Sequence, residues 1–309
     1  VVGVIGQSVQ HAKDTATQEH IEVKKLNDRF ENMQRTIEQQ LITPEAAKLQ
    51  AKAEKKKQKA EHKANKLEAK KKAKSGTEAE TKEEPKEPAT DNRLFVLDFD
   101  GDIRANGVDN LREEISAVLT VAKDSDEVLV RLESPGGVVH GYGLAASQMQ
   151  RIKDAGIPLT ACVDKVAASG GYMMACVADH IVAAPFSIIG SIGVVAQVPN
   201  FHRLLKKNDI DFEQYTAGEY KRTVTMFGEN TDDGRAKFKE ELGETHDLFK
   251  DFVASHRADL DIDKVATGEH WHGTQALDLG LVDSLRTSDD YLLEAHKEHD
   301  IFHVKYVAK

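Results

Sequence analysis

Cysteine is almost absent from this 309-residue chain, which contains only Cys162 and Cys176. Two thiols cannot form the network of disulfide bonds that stabilises many small secreted proteins. They are not spaced as a CxxC pair, so the sequence indicates neither a metal site nor a redox pair, and we predict that no cofactor is needed. Both lie in apolar stretches, where cysteine usually serves as a small buried hydrophobic side chain.

An excess of positive charge is also missing from the part of the chain that has a globular pattern. Residues 1–92 carry 19 basic and 16 acidic side chains, whereas residues 93–309 carry 23 and 36. A domain with this net negative charge repels phosphate backbones, so we do not expect a nucleic acid as a partner. The charges separate a mixed-charge arm from an acidic domain.

No long hydrophobic run opens the sequence. It begins with VVGVIGQSVQ, and six apolar residues are too few to cross a bilayer, which requires about 20. This start fits an ordinary processed end, and it fits equally the last turn of a truncated membrane anchor. Both interpretations stay open on the residues alone.

Glycine and proline are scarce between residues 13 and 74, which favours helix. Apolar residues recur every three to five positions over 21–41, the pattern of an amphipathic helix. The following KLQAKAEKKKQKAEHKANKLEAKKKAK has 12 lysines and three glutamates. Such a run is typical of a solvated helix or tether and less often contacts anionic lipid. We therefore predict three regions: a helical, lysine-rich arm (1–74), a linker rich in Pro and Glu (75–92) and a globular domain (93–309).

Short apolar runs and amphipathic segments alternate from residue 93 onward. LFVLDF (94–99) and EVLVRLE (127–133) are rich in strand-forming residues, and residues 110–122 between them have helical periodicity. This alternation predicts an α/β fold whose parallel strands are covered by helices. Further strands are predicted at 158–163 and 180–184, and further helices at 143–156, 170–179 and about 233–257.

Two glycine-rich turns follow predicted strands directly. In ESPGGVVHG (133–141) the glycines allow close approach of the backbone to another group, although a plain strand-to-helix turn uses the same residues. In AASGGY (167–172) Ser169 stands at the start of a helix, where serine is a common capping residue. Its neighbours are all small and leave space for a substrate backbone, and the Gly170 N–H adjoins its hydroxyl. Ser169 is therefore a candidate nucleophile.

A serine hydroxyl is a weak nucleophile unless a base removes its proton. His140 is the one histidine within a glycine-rich motif, and no motif supports a His–Asp pair. Lysine can serve if its surroundings lower its pKa from about 10.4 toward 7–8. Lys221, in TAGEYKRTVTMFGENT, has apolar neighbours, and Lys165 lies four residues before Ser169. Either lysine can equally be a solvated surface residue, so the residues alone leave the base open.

Four motifs in order narrow these alternatives: LESPGGVVHGYGLAASQ, DKVAASGGYMMACVADHIVAAPFSIIGSIGVV, YTAGEYKRTVT and ATGEHWHGTQALDLGLVD. Over about 93–285 the chain resembles the signal peptide peptidase A family of serine peptidases, and most closely its SohB branch. The resemblance implies a ClpP/crotonase fold of stacked ββα units and a Ser–Lys dyad. It also implies a lysine-rich arm that follows a membrane anchor.

The resemblance gives roles to residues at matching positions. Ser169 matches the nucleophile, Lys221 the general base, and Ser191 a serine that hydrogen-bonds the lysine amine. Lys165 is then left with a structural role. The implied reaction is acyl transfer, in which neutral Lys221 accepts the Ser169 proton, the serine attacks a peptide carbonyl, and water later hydrolyses the acyl-enzyme.

The glycines of both turns also match family positions. Gly136 and Gly170 match the residues whose amides hold the oxyanion, and Gly137 and Gly171 are expected to bind the substrate backbone. Apolar walls around them would favour small or apolar substrate side chains, as in signal-peptide remnants or other membrane-derived peptides.

The resemblance further implies a setting. Relatives form dome- or ring-like assemblies with sites at subunit boundaries, so we expect a homo-oligomer, with the dyad completed within one subunit or between two. We expect a single N-terminal anchor in a bacterial inner membrane and a periplasmic catalytic domain, although lysines beyond an anchor favour the cytoplasm by the positive-inside rule.

Two other classes of function stay open. A crotonase-type acyl-CoA enzyme also uses backbone amides to stabilise an oxyanion and needs no serine nucleophile, but we find no motif for its adenine and pantetheine groups. A non-catalytic membrane scaffold would use the arm as a coiled coil and the domain only for binding, which leaves the Ser–Lys pair unexplained.

Overall fold

The computed structural model of the protein describes residues 19–41 and 92–308, and its strands form two sheets. The strands are β1 (His20–Lys25), β2 (Arg93–Asp100), β3 (Glu127–Glu133), β4 (Leu159–Val163), β5 (Val166–Ala168), β6 (His180–Ala183), β7 (Ile188–Gly190), β8 (His270–His272), β9 (Ser284–Leu285) and β10 (Asp300–Val307). The large sheet has the order β1-β10-β2-β3-β4-β6-β9 and the small sheet the order β5-β7-β8. Neighbouring strands are parallel except in the pairs β1–β10 and β7–β8.

Helices connect most of these strands. They are α1 (Leu26–Leu41), α2 (Val108–Leu119), α3 (Val139–Asp154), α4 (Gly170–Ala175), α5 (His202–Lys207), α6 (Asp232–His256), α7 (Ile262–Val265), α8 (Gly273–Asp278) and α9 (Ser288–Ala295). The helix predicted at about 233–257 is confirmed as α6, the longest helix of the described residues. Its first turn is capped by the Thr231 side chain, which accepts a hydrogen bond from the Gly234 N–H.

The chain passes repeatedly from the large sheet to the small one. Strand β4 is followed by β5 and α4, and β6 is followed by β7. After β3, Ser134 forms an isolated parallel bridge with Ala167 of β5 before α3 begins. This order of strand, strand and helix matches the predicted stacked ββα units, and the predicted α/β fold class is confirmed. Because parallel strands end at the same edge, the residues that follow β3, β5 and β7 meet there.

The two faces of the large sheet are covered by different helices. Alternate residues of β2 point to opposite faces, with Leu97 and Phe99 toward α2, α3 and α4 and Leu94 and Val96 toward α1 and α9. The two cysteines follow the same division, Cys176 in the first core and Cys162 in the second. Both are buried, as predicted, and burial raises the pKa of each thiol to about 12.

The N-terminal segment is part of the large sheet. The sequence predicts a helix from residue 21, but β1 occupies 20–25 and pairs antiparallel with β10, so α1 begins only at Leu26. Asn27 connects the N-terminal segment to the start of β10. Its Nδ2 donates to the His299 carbonyl (2.8 Å), and its Oδ1 accepts from the Ile301 N–H (2.7 Å). Part of the predicted arm thus belongs to the same sheet as the predicted globular domain, while the lysine-rich run and residues 75–91 of the linker lie outside the described residues.

No helix within 19–41 or 92–308 combines the length and the hydrophobicity that a bilayer-crossing segment requires.

Candidate active site

Ser169 lies in the turn that joins β5 to α4. Its backbone has φ +52° and ψ −119°, a sparsely populated region for a residue with a side chain. Its N–H donates to the Gly190 carbonyl (2.7 Å), and its own carbonyl accepts from the Met173 N–H (3.0 Å). The Ser169 hydroxyl makes no capping hydrogen bond to α4. A capping role therefore does not explain this serine, and its hydroxyl stays available for chemistry.

Ser191 lies beside Ser169. Ala168 and Gly190 pair in register at the ends of β5 and β7, so the two serines occupy equivalent positions just beyond adjacent strands. Ser191 also has a positive φ, +52°, and its N–H donates to the Glu269 carbonyl (2.6 Å). Two adjacent serines with strained backbones at the end of one small sheet indicate a functional site, because strain of this kind persists only where the surroundings enforce it.

A cavity of about 990 Å³ opens over these serines. Both line it, together with the glycines at 136, 137, 143, 170, 193 and 268. Much of the remaining wall is apolar, and α6 forms one side of it. The larger apolar side chains in the wall are Val139, Met173, Val194, Val195, Leu248, Phe249 and Phe252.

The turn after β3 contacts the serine turn directly. Gly136 has φ +84°, and a Cβ on it would lie 2.6 Å from the Gly170 nitrogen and 2.7 Å from the Ser169 Cβ. Only glycine permits both this conformation and this close approach. The two glycine-rich turns are therefore in direct contact in the fold.

The amides of these turns differ in availability. The Gly136 N–H donates to the buried Ser134 hydroxyl (3.1 Å), so this amide is already engaged and not free for an oxyanion, contrary to the sequence prediction. The N–H groups of Gly137 and Gly170 have no hydrogen-bond partner within the described residues, and both residues line the cavity. Unengaged donors beside a serine hydroxyl are the groups that an oxyanion requires.

Gly171 lies below the cavity. A Cβ at this position would overlap the Ser134 carbonyl oxygen, and the residue is buried and absent from the cavity wall. Gly171 therefore allows close packing of α4 against the end of β3, which replaces its predicted contact with substrate.

The three candidate bases from the sequence all lie outside the cavity wall. Lys221 is exposed in the loop between α5 and α6, where its N–H donates to the Gly218 carbonyl (3.2 Å). Lys165 pairs with Glu133 (2.8 Å), and this hydrogen bond raises the pKa of Lys165, which opposes a role as a base. His140 is exposed near the start of α3. The chain by itself thus brings together the serines and the glycines but not the predicted lysine.

His246 is a residue of the cavity wall that the sequence does not single out. It projects from α6, and its Nε2 lies 3.2 Å from the Ile192 carbonyl oxygen, which also accepts from the Gly268 N–H (3.1 Å). The one sequence feature that could have indicated His246 is its position on the apolar stripe of α6, one residue after Thr245. No short motif marks it.

Comparison with known proteins identifies the family of this chain. The family model described as peptidase family S49 matches residues 151–301, and the model of the S49 N-terminal region matches residues 1–149. The chain belongs to peptidase family S49. Its relatives in this family include proteins named probable protease SohB, and the predicted resemblance to the SohB branch is confirmed.

Two of these S49 relatives define the extent of the match. The Haemophilus influenzae protein is 66% identical over 216 residues, which cover 70% of this chain and 61% of the relative. The Buchnera aphidicola subsp. Acyrthosiphon pisum protein is 62% identical over 215 residues, which cover 70% and 64%. The chain thus spans less than two thirds of either relative. A solved structure of the membrane-bound stomatin-specific protease 1510-N with a substrate peptide has a TM-score of 0.41 at 16% identity, covering 66% of this chain and 79% of that one.

The close packing of the serine turn can be tested with two glycine substitutions. Gly170→Ala should destabilise the fold by about 1–3 kcal/mol, because the added Cβ would overlap the Tyr142 ring. Gly143→Ala should be neutral or stabilise by up to about 1 kcal/mol, because no atom lies within 4 Å of its Cβ and alanine favours helix. Urea unfolding midpoints provide the comparison. Equal midpoints for the two variants would contradict this packing.

Proposed function

We propose that this S49 chain is a serine endopeptidase that uses Ser169 as nucleophile and Lys221 as general base. The observation that carries the proposal is the Ser169 hydroxyl, which caps no helix, in a strained turn beside two unengaged N–H groups. Neither a helix-capping serine nor an ordinary turn would require this combination of features. Membership of a peptidase family supports the same reaction class.

The proposed reaction is acyl transfer. The Ser169 Oγ attacks the carbonyl carbon of the substrate while its proton passes to the neutral lysine amine. Negative charge then develops on the carbonyl oxygen, and the N–H groups of Gly137 and Gly170 stabilise it. The lysine returns the proton to the leaving amine, and water hydrolyses the ester by the same steps. Ser191, next to Ser169, orients the lysine amine by a hydrogen bond.

We further propose that Lys221 comes from a second copy of the chain. A lysine acts as a base near neutral pH only where apolar surroundings or like charges disfavour its protonated form. Lys221 is exposed in its own subunit, whereas the cavity of the partner would supply apolar walls. Large apolar side chains are exposed both in this loop, at Tyr215 (87% exposed), and in the cavity wall, at Val195 (81%). A homo-oligomer that covers this region would bury them and complete the dyad.

The cavity wall supports a substrate class. Its apolar side chains favour peptides with small or apolar residues near the cleaved bond, such as signal-peptide remnants or other membrane-derived segments. An N-terminal membrane anchor, an inner-membrane location and a periplasmic catalytic domain belong to the same proposal.

A covalent probe tests the proposed function against its alternatives. A fluorophosphonate probe should label the native protein on Ser169, as identified by peptide mapping, and pre-labelling should abolish hydrolysis of apolar peptide substrates. Labelling elsewhere, or acyl-CoA turnover that survives labelling, would favour the crotonase-type alternative. Absence of both labelling and hydrolysis in the assembled protein would favour a scaffold.

A further inference from the structure

Two buried hydroxyl groups lie directly behind the oxyanion turn and are used by none of the steps above. Ser134 and Tyr142 are both fully buried, and their oxygens are 2.6 Å apart. The Ser134 Oγ also accepts from the Gly136 N–H (3.1 Å), and the Tyr142 hydroxyl donates to the Asp102 carbonyl (2.7 Å). These contacts form one continuous chain of hydrogen bonds from the glycine turn to the loop after β2.

The direction of this chain follows from its ends. A carbonyl only accepts, so the single proton of the Tyr142 hydroxyl is committed to Asp102. The Ser134 hydroxyl must then donate to the Tyr142 oxygen, which leaves a Ser134 lone pair for the Gly136 N–H. Burial raises the pKa of Tyr142, which keeps the phenol protonated and able to donate. Each group therefore has one orientation, and aligned buried hydrogen bonds reinforce one another.

The same tyrosine supports the second oxyanion donor. Its ring lies against Gly170, where any Cβ would overlap it, and it contacts the Phe99 ring edge-on at a centroid distance of 6.3 Å. Ser134 in turn lies under Gly171, next along α4. One pair of side chains thus fixes the Gly136–Gly137 turn through hydrogen bonds and the start of α4 through packing.

We infer that Ser134 and Tyr142 are positioning residues for the oxyanion hole. By engaging the Gly136 N–H, Ser134 holds the turn in the conformation in which the Gly137 N–H is the donor left unpaired. Tyr142 holds Ser134 in that orientation and sets the distance between the two turns. This inference rests on the proposed function. It states that two buried side chains hold the oxyanion-hole donors in the positions on which transition-state stabilisation depends.

A pair of tyrosine variants tests the inference. Tyr142→Phe removes the acceptor of the Ser134 proton and should lower kcat about ten- to a hundred-fold with KM within about two-fold, because misplaced oxyanion donors act mainly on the transition state. Tyr172→Phe is the matched control. Tyr172 is also fully buried and donates to a backbone carbonyl, that of Leu281 (2.9 Å), and neither residue lines the cavity. Its variant should lose similar thermal stability and keep its kcat.

A pair of serine variants tests the same hydrogen bonds while the Tyr142 ring stays in place. Ser134→Ala frees the Gly136 N–H and should lower kcat and the rate of fluorophosphonate labelling together. Ser187→Ala, which removes another buried hydroxyl that donates to a backbone carbonyl (Ala184, 2.8 Å), should change neither. If native protein is labelled at Ser169 while Tyr142→Phe and Ser134→Ala match their controls in kcat at equal losses of stability, the inference is wrong and the proposed function stands. Failure of the native protein to label would overturn the proposed function itself.

Discussion

Ser169→Ala should reduce peptide hydrolysis by at least about a thousand-fold and abolish fluorophosphonate labelling, because the proposed acyl-enzyme forms on the Ser169 hydroxyl. Ser169→Gly should lose activity to the same extent. It should also raise the thermal midpoint, since the positive φ of residue 169 costs a residue with a side chain about 1–3 kcal/mol and costs glycine little. Active-site strain would then be measurable as stability gained when the nucleophile is removed.

Ser147→Ala is the control for these variants. Ser147 lines the same cavity, but its hydroxyl donates to the Gly143 carbonyl within α3 (2.8 Å), as expected for an ordinary helix surface serine. Its loss should leave kcat unchanged. Substantial hydrolysis by Ser169→Ala, with labelling transferred to another serine, would refute the assignment of the nucleophile.

Lys221→Ala should abolish hydrolysis while the assembly stays intact, and mixing it with Ser169→Ala protein should restore activity. The physical reason is that each mixed boundary can combine an intact serine from one subunit with an intact lysine from the next. Random mixing in equal amounts should restore about a quarter of the sites if every site is shared between two subunits. The measurement is peptide turnover before and after subunit exchange, with oligomer size checked by light scattering.

Lys165→Ala serves as the comparison for the lysine. Lys165 is exposed and paired with Glu133, so its loss should leave turnover near the native level. A mixture that stays inactive after verified exchange would show that the dyad is not shared between subunits. Native-level turnover by Lys221→Ala itself would remove this lysine from the mechanism.

The sequence predicts the position of Ser169 well because local patterns determine it. An apolar strand, a run of small residues and a helix start are all readable within about ten residues, and the structure has β5, the turn and α4 in that order. The α/β alternation and α6 are predictable for the same reason, since hydrophobic periodicity decides them.

The sequence predictions are wrong where contacts between residues distant in sequence, or with a neighbouring side chain, determine the structure. HIEVKK carries no strong strand signal, and β1 exists because β10, nearly 300 residues later, offers an edge to pair with. Gly136 lost its predicted role because a serine two residues earlier turns its hydroxyl toward that N–H. The distance between Lys221 and the cavity depends on how a long loop is placed, which no local pattern encodes. The places of His246 and Tyr142 at the site likewise depend on how whole helices pack, which no short sequence pattern predicts.

The pairing of β1 with β10 has a consequence for how the chain tolerates shortening. Without residues 20–25, the eight-residue strand β10 would be an exposed edge strand with unpaired peptide groups. Such an edge can pair with strands of other molecules and lead to aggregation. The β1 segment therefore protects the edge of β10 from pairing with other chains. A fragment cut at the start of the motif-bearing region would keep every reactive group and lose that protection.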